Sequence, residues 1–157
     1  SATSVPDSRE AARVASAILS GGLVAGACDI TYACLANNIR FGSPFTRTLQ
    51  SVASGLLGRD ALQGGWKTAA LGLSLHFFIA LTAATVYYAA SRKVPFMLRE
   101  PWLSGLLYGV LVYFLMSFVV VPLSAAPFRI RFEILGLLVH MFLVGLPIAL
   151  AVRKYSG

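Results

Sequence analysis

Four apolar stretches set the plan of the chain, at 14–36, 69–90, 102–123 and 134–152. Each approaches the roughly 20 residues that a helix needs to cross a bilayer, so the pattern predicts an all-α membrane protein, one domain with four transmembrane helices. Only one connection is long, residues 37–67. After Ser43 and Pro44, a pair that can cap and start a helix, the run 45–57 places Leu49, Val52, Ala53, Leu56 and Leu57 on one stripe and Arg47, Gln50, Ser51 and Ser54 on another. That spacing predicts an amphipathic helix lying in the interface or dipping slightly inward, with Leu49, Val52 and Leu56 facing in. Gly58, Gly64 and Gly65 end it before Trp66, which sits where an interfacial aromatic anchor belongs. The segment reads as an interfacial connector, or as a lid over whatever the bundle holds.

The second and fourth stretches contain the same run. Leu71 to Phe78 and Leu135 to Phe142 share the pattern LGLxxHxF and hold the only histidines in the chain, His76 and His140. Each is preceded by a stretch with a GLxxG core, Gly22 to Gly26 and Gly105 to Gly109. A duplicated helical hairpin is therefore expected, its halves related by an axis along the membrane normal and its first loop the longer. Helical spacing then sorts the faces. Gly22, Ala25, Gly26 and Asp29 share one; Ala69, Gly72, His76, Ala80 and Ala83 another; Gly105, Gly109, Val112 and Met116 a third; Glu133, Gly136, His140 and Pro147 a fourth. Small residues let membrane helices approach closely, so these faces should meet inside the bundle.

Composition agrees with the spans. Hydrophobic residues make up 57% and charged residues 12%, against roughly 25% charge in soluble domains. The net charge of +7 is scattered over span ends, which points to lipid headgroups and away from nucleic acid. Arg9, Arg13, Arg92, Lys93, Arg99, Arg153 and Lys154 fall on the side of the termini; Arg40, Arg47, Arg59, Lys67, Arg129 and Arg131 fall opposite. The balance is close, but Arg92-Lys93 and Arg153-Lys154 directly abut spans, which favours cytoplasmic termini. The polar start, Ser1 to Arg13, lacks the pattern of a removed signal peptide. Cys28 and Cys34 lie about 9 Å apart along one helix, too far for a disulfide, and are expected as small packing residues. Ser74 and Ser117 read as interhelical hydrogen-bonders, and Tyr87, Tyr88, Trp102 and Tyr155 as interfacial belt residues.

The chemistry is concentrated in three side chains. By helical rise, Asp29, His76 and His140 all lie about 5 Å from the midplane, on the side away from the termini. A buried layer of one carboxylate and two imidazoles is expected. An ionisable group at such depth costs about 2.5–3.5 kcal/mol on insertion scales, so Asp29 is a candidate site residue with a histidine as its partner. The layer can stabilise the bundle by hydrogen bonding. Alternatively, His76 and His140 ligate haem b, with Gly26 admitting the porphyrin face, or hold a metal ion together with Asp29, with Met116 or Cys28 nearby. A third reading is an ion or small-solute pathway, which four short spans would provide only as a homo-oligomer. An enzyme is not expected, because no nucleophile with a positioned base is apparent.

The Gly22-x-x-x-Gly26 start with a polar residue soon after, His76 followed by an apolar run, Pro122 closing the third span and Glu133-Ile134-x-Gly136-x-x-x-His140 opening the fourth together resemble small bacterial inner-membrane proteins of the YagU-like type. The resemblance implies a bacterial inner-membrane setting and brings no chemistry with it. The expectation is a non-enzymatic four-helix bundle whose Asp29, His76 and His140 layer stabilises the bundle or binds a ligand, the chain serving as an accessory subunit of a larger membrane complex.

Overall fold

Asp7 accepts the backbone N–H of Arg9 and starts α1 (Ser8–Phe41), the first of four helices long and apolar enough to cross a membrane. These helices belong to a computed structural model that describes residues 7–157; the first six residues of the polar start lie outside the described residues. Gly42, at φ 63°, adopts the left-handed conformation that ends α1 and returns its N–H to Asn37 and Asn38. There follow α2 (Phe45–Leu57), a tight 3₁₀ segment (Gly58–Gln63), α3 (Gly65–Ser91), the single turn α4 (Phe96–Arg99), α5 (Pro101–Leu123) and α6 (Ile134–Tyr155). The four-helix plan and the extra helix at 45–57 are as expected from the sequence, with α1 longer than its apolar stretch at both ends.

Small residues decide which helices touch. Helix α1 is central and packs on both α3 and α6, and α5 packs on α6. A methyl group on Gly22 would press on Leu81, and one on Gly26 on the Phe77 ring and Ala80. In the second hairpin, Gly105 meets Ala149 and Leu146, while Gly109 lies directly on the backbone of His140 and Met141. Such backbone approach replaces, in lipid, the hydrophobic drive available in water. Near the termini the bundle is solid: Ala17, Ala25, Ala84, Tyr87, Ile148, Ala149 and Val152 form its core. Tyr87, expected in the interfacial belt, is fully buried there instead. Its hydroxyl has a partner at 2.8 Å, Ser104, which makes burial affordable. Ser74, expected to bond between helices, donates to Ala70 of its own helix at 2.9 Å and points outward.

Helices α3 and α5 meet at this terminal end, where Tyr108 donates to the Ala83 carbonyl at 2.7 Å. At the other end α2 packs on α3 and α1, and its Gly55 carbonyl accepts from Ala125, just past the end of α5. Its Leu49 carbonyl rests on Gly72, two turns inside α3, where any side chain would collide with it. The expected inward stripe is only partly realised. Leu49 and Val52 are half-buried, but Leu56 is 61% exposed, whereas Thr48, Gln50 and Ser54 from the polar side are buried. The reason is that α2 is flanked on two sides rather than resting on one surface: Gln50 donates to the Gly65 carbonyl at 2.9 Å and Asn37 to Thr48 at 3.3 Å.

Both helices of the second hairpin contain a π-helical turn, Met116–Val120 and His140–Gly145. Each ends two residues before a proline, Pro122 or Pro147. A proline has no N–H to give the carbonyl four residues back, and a wider turn rearranges the bonding around that gap.

These contacts separate the glycines by consequence. Gly72→Ala and Gly109→Ala should each lower stability by about 1–3 kcal/mol through overpacking. Gly55→Ala, whose methyl would meet nothing nearer than Ser124 at 3.8 Å, should raise it by up to about 1 kcal/mol through helix propensity. Thermal unfolding in detergent checks the order.

Candidate functional site

The wedge of α2 leaves a cavity of about 460 Å³ between α1, α3, α5 and α6. Ala25, Ala80, Val112 and Val144 form its inner walls, Thr48, Ser51 and Val52 its roof, and Leu56, Val120 and Phe128 its more exposed mouth. Met116 and Ser117 line it as well. Ser117 is therefore a cavity residue, and Cys28 is not among the lining. The face assignments for α1, α3 and α5 drawn from helical spacing hold at this site.

Asp29, His76 and His140 come together at one end of the cavity. The Nε2 of His76 is 3.8 Å from one Asp29 oxygen and the Nε2 of His140 is 3.7 Å from the other. The expected burial is not found: the side chains are 21%, 14% and 18% exposed, respectively. The cavity that all three line supplies the exposure.

The hydrogen bonds fix what each ring presents. A carbonyl only accepts, so His76 donates its Nε2–H to Gly26 across the α1–α3 interface at 3.0 Å. By the same argument, His140 donates Nδ1–H to the Gly136 carbonyl one turn earlier at 2.8 Å. In the neutral ring that bond leaves Nε2 as an acceptor, and the structure turns this atom toward the Asp29 carboxylate. No N–H or O–H of the described residues lies within hydrogen-bond distance of that carboxylate. Gly26, expected to leave room for a porphyrin face, has its open side filled by Phe77. Among the described residues, no group of three or more His, Cys, Asp or Glu side chains closes tightly enough to hold a metal ion.

Glu133, grouped with His140 by spacing, lies apart from this pole. It caps α6, pairs with Arg40 at the end of α1 and accepts from Tyr32 at 3.1 Å. The Tyr113 hydroxyl takes its backbone N–H at 2.8 Å, and the Tyr113 ring stands edge-on to His140 with centroids 5.3 Å apart. Tyr32, Tyr113 and the pairing of Arg40 with Glu133 escaped the sequence reading because partners so far apart in the chain leave no local pattern. The bond from Arg40, aided by Tyr32 and opposed by burial, holds the Glu133 carboxyl below its ordinary value.

Comparison with protein-family models, with curated proteins and with solved structures gives no match to this chain.

Two outcomes follow. A carboxyl whose folded-state pKa is lowered stabilises the fold fully above its unfolded value of 4.5, and that contribution disappears as pH falls through the lowered one. Wild type should therefore lose its advantage over Glu133→Gln as unfolding is followed from neutral pH to below that range; a constant difference would contradict the pairing. At the pole, Asp29→Asn should raise stability by about 1 kcal/mol, because the amide removes the charge and can donate to His140 Nε2. Unchanged or lower stability would mean that the carboxylate already has a donor.

Proposed function

We propose that this chain is a non-enzymatic, multi-pass membrane protein that binds a small ligand, apolar in body and polar at one end, within its bundle. The observation that carries this reading is the cavity of about 460 Å³, apolar along its walls and terminated by Asp29, His76 and His140. Its size lies in the usual range for small-molecule sites, which are largely apolar with a few placed polar groups. The outward faces carry Leu23, Phe78, Leu107, Leu111 and Phe142 exposed, as contact with lipid tails requires, so a ligand can arrive from the bilayer through the mouth beside Leu56 and Val120. The α2 roof then acts as a lid.

The geometry favours this over haem. A porphyrin between the two imidazoles would need the space that the Asp29 carboxylate occupies, and His76 would have to release Gly26 to free its Nε2. A duplicated hairpin belongs to the same reading. In each half the second glycine of the pair packs against the residue just after the histidine, Gly26 on Phe77 and Gly109 on Met141. A bacterial inner membrane with cytoplasmic termini is the setting supported by the sequence resemblance and by the basic residues abutting α3 and α6.

Val112→Trp fills the cavity from α5. Native mass spectrometry of protein released from its membrane should find small apolar molecules retained by wild type and reduced several-fold in this variant, with unfolding temperature preserved. Equal retention by both proteins would remove the binding reading.

A further inference from the structure

The atoms that the pole of the cavity leaves uncommitted are acceptors. Both Asp29 oxygens are free of donors, and His140 Nε2, 3.7 Å from one of them, offers a lone pair in the neutral ring whose Nδ1–H is committed to Gly136. His76 cannot correct the imbalance, since its one N–H is committed to Gly26. Three acceptors with net negative charge thus converge at the end of an apolar chamber. Acceptors facing one another at this spacing are stabilised by a guest that brings donors and positive charge.

We propose that the cavity selects a primary ammonium group, and that its ligand is a small lipophilic amine. The proposal rests on the ligand-binding reading above and names the chemistry of the polar end. A primary ammonium has three N–H donors, matching the two Asp29 oxygens and His140 Nε2, while its alkyl body lies along Val112, Val144 and Ile79. A carboxylate or phosphate head would meet charge of its own sign and lone pairs. A bare metal ion would find only Asp29 and His140 unoccupied and would leave the apolar chamber unexplained.

The test uses the full chain in nanodiscs of zwitterionic lipid at pH 7, titrated calorimetrically with octylamine, octanol and octanoate after subtraction of empty nanodiscs. Octylamine is protonated under these conditions, as a lysine side chain is. It should bind at least about tenfold tighter than octanol, the increment expected of hydrogen bonds to a charged group, and octanoate should bind weakest. Asp29→Asn should bring octylamine to the level of octanol and leave octanol unchanged, and Val112→Trp should weaken all three. Octylamine binding no tighter than octanol in wild type would overturn the amine proposal while leaving the cavity reading intact. No binding above empty nanodiscs, or binding indifferent to Val112→Trp, would bring down the cavity reading and the proposal with it. Should Asp29→Asn also lose octanol through misfolding, the order of the three probes on wild type decides alone.

Discussion

The contact of the Leu49 carbonyl with Gly72 sets the shape of the upper half of the bundle. A backbone can lie on another helix only where a side chain is missing, and residue 72 is such a place, two turns inside α3. Gln50 and Arg47 fasten α2 to the start of α3 and the segment before it through the Gly65 and Leu62 carbonyls, and Asn37 of α1 holds the other flank at Thr48. Seated in this way, α2 reaches from α3 to the residues just past α5, where its Gly55 carbonyl accepts from Ala125, whereas alanines, Tyr87, Ile148 and Val152 form a packed core at the end that holds the Tyr108–Ala83 bond. One set of helices is therefore a packed core at one end and a walled chamber at the other.

The chamber changes what Asp29 costs. A carboxylate in hydrocarbon is expensive, and the N–H groups of the neutral imidazoles beside it go to backbone carbonyls instead. These bonds are worthwhile elsewhere. The His76–Gly26 bond ties α3 to α1, and the His140–Gly136 bond uses a carbonyl of the same helix. Access to the chamber, rather than pairing, is what lets the carboxylate remain. In the ligand-binding reading proposed above, stability and binding pull apart at one residue, since the change that would quiet the pole also removes its charge.

Helical spacing made most of this architecture legible. It found the four spans, the extra helix at 45–57, and the three ionisable side chains at one level, because length and the 3.6-residue period are local properties. It misjudged what α2 would bury, since the expected stripe assumed a single apolar surface beneath, and Gly72 instead admits the helix edge-on between neighbours. It placed Tyr87 at the interface by residue type, whereas the partner that permits burial, Ser104, belongs to another helix. It expected a buried layer because depth along a helix does not reveal whether the helices beside it have separated. The hydrogen bonds that turn His140 Nε2 toward Asp29 were equally out of reach, as they depend on ring orientation.

That orientation has its own support. His140 is the first residue of the π-turn preceding Pro147, and its ring folds back onto Gly136, whose missing side chain leaves room for the Tyr113 ring alongside. Tyr113 stands edge-on to the imidazole and at the same time holds the backbone of Glu133, where α6 begins and where Arg40 of α1 is anchored. The surface ion pair and the inner pole are thus joined through one aromatic side chain. Because a ring packed this closely cannot shift without moving what it touches, the entry of α6 into the membrane and the direction of the His140 lone pair are set together. The donor-poor character of the pole is then a property of the folded bundle as a whole and not of three residues that happen to meet.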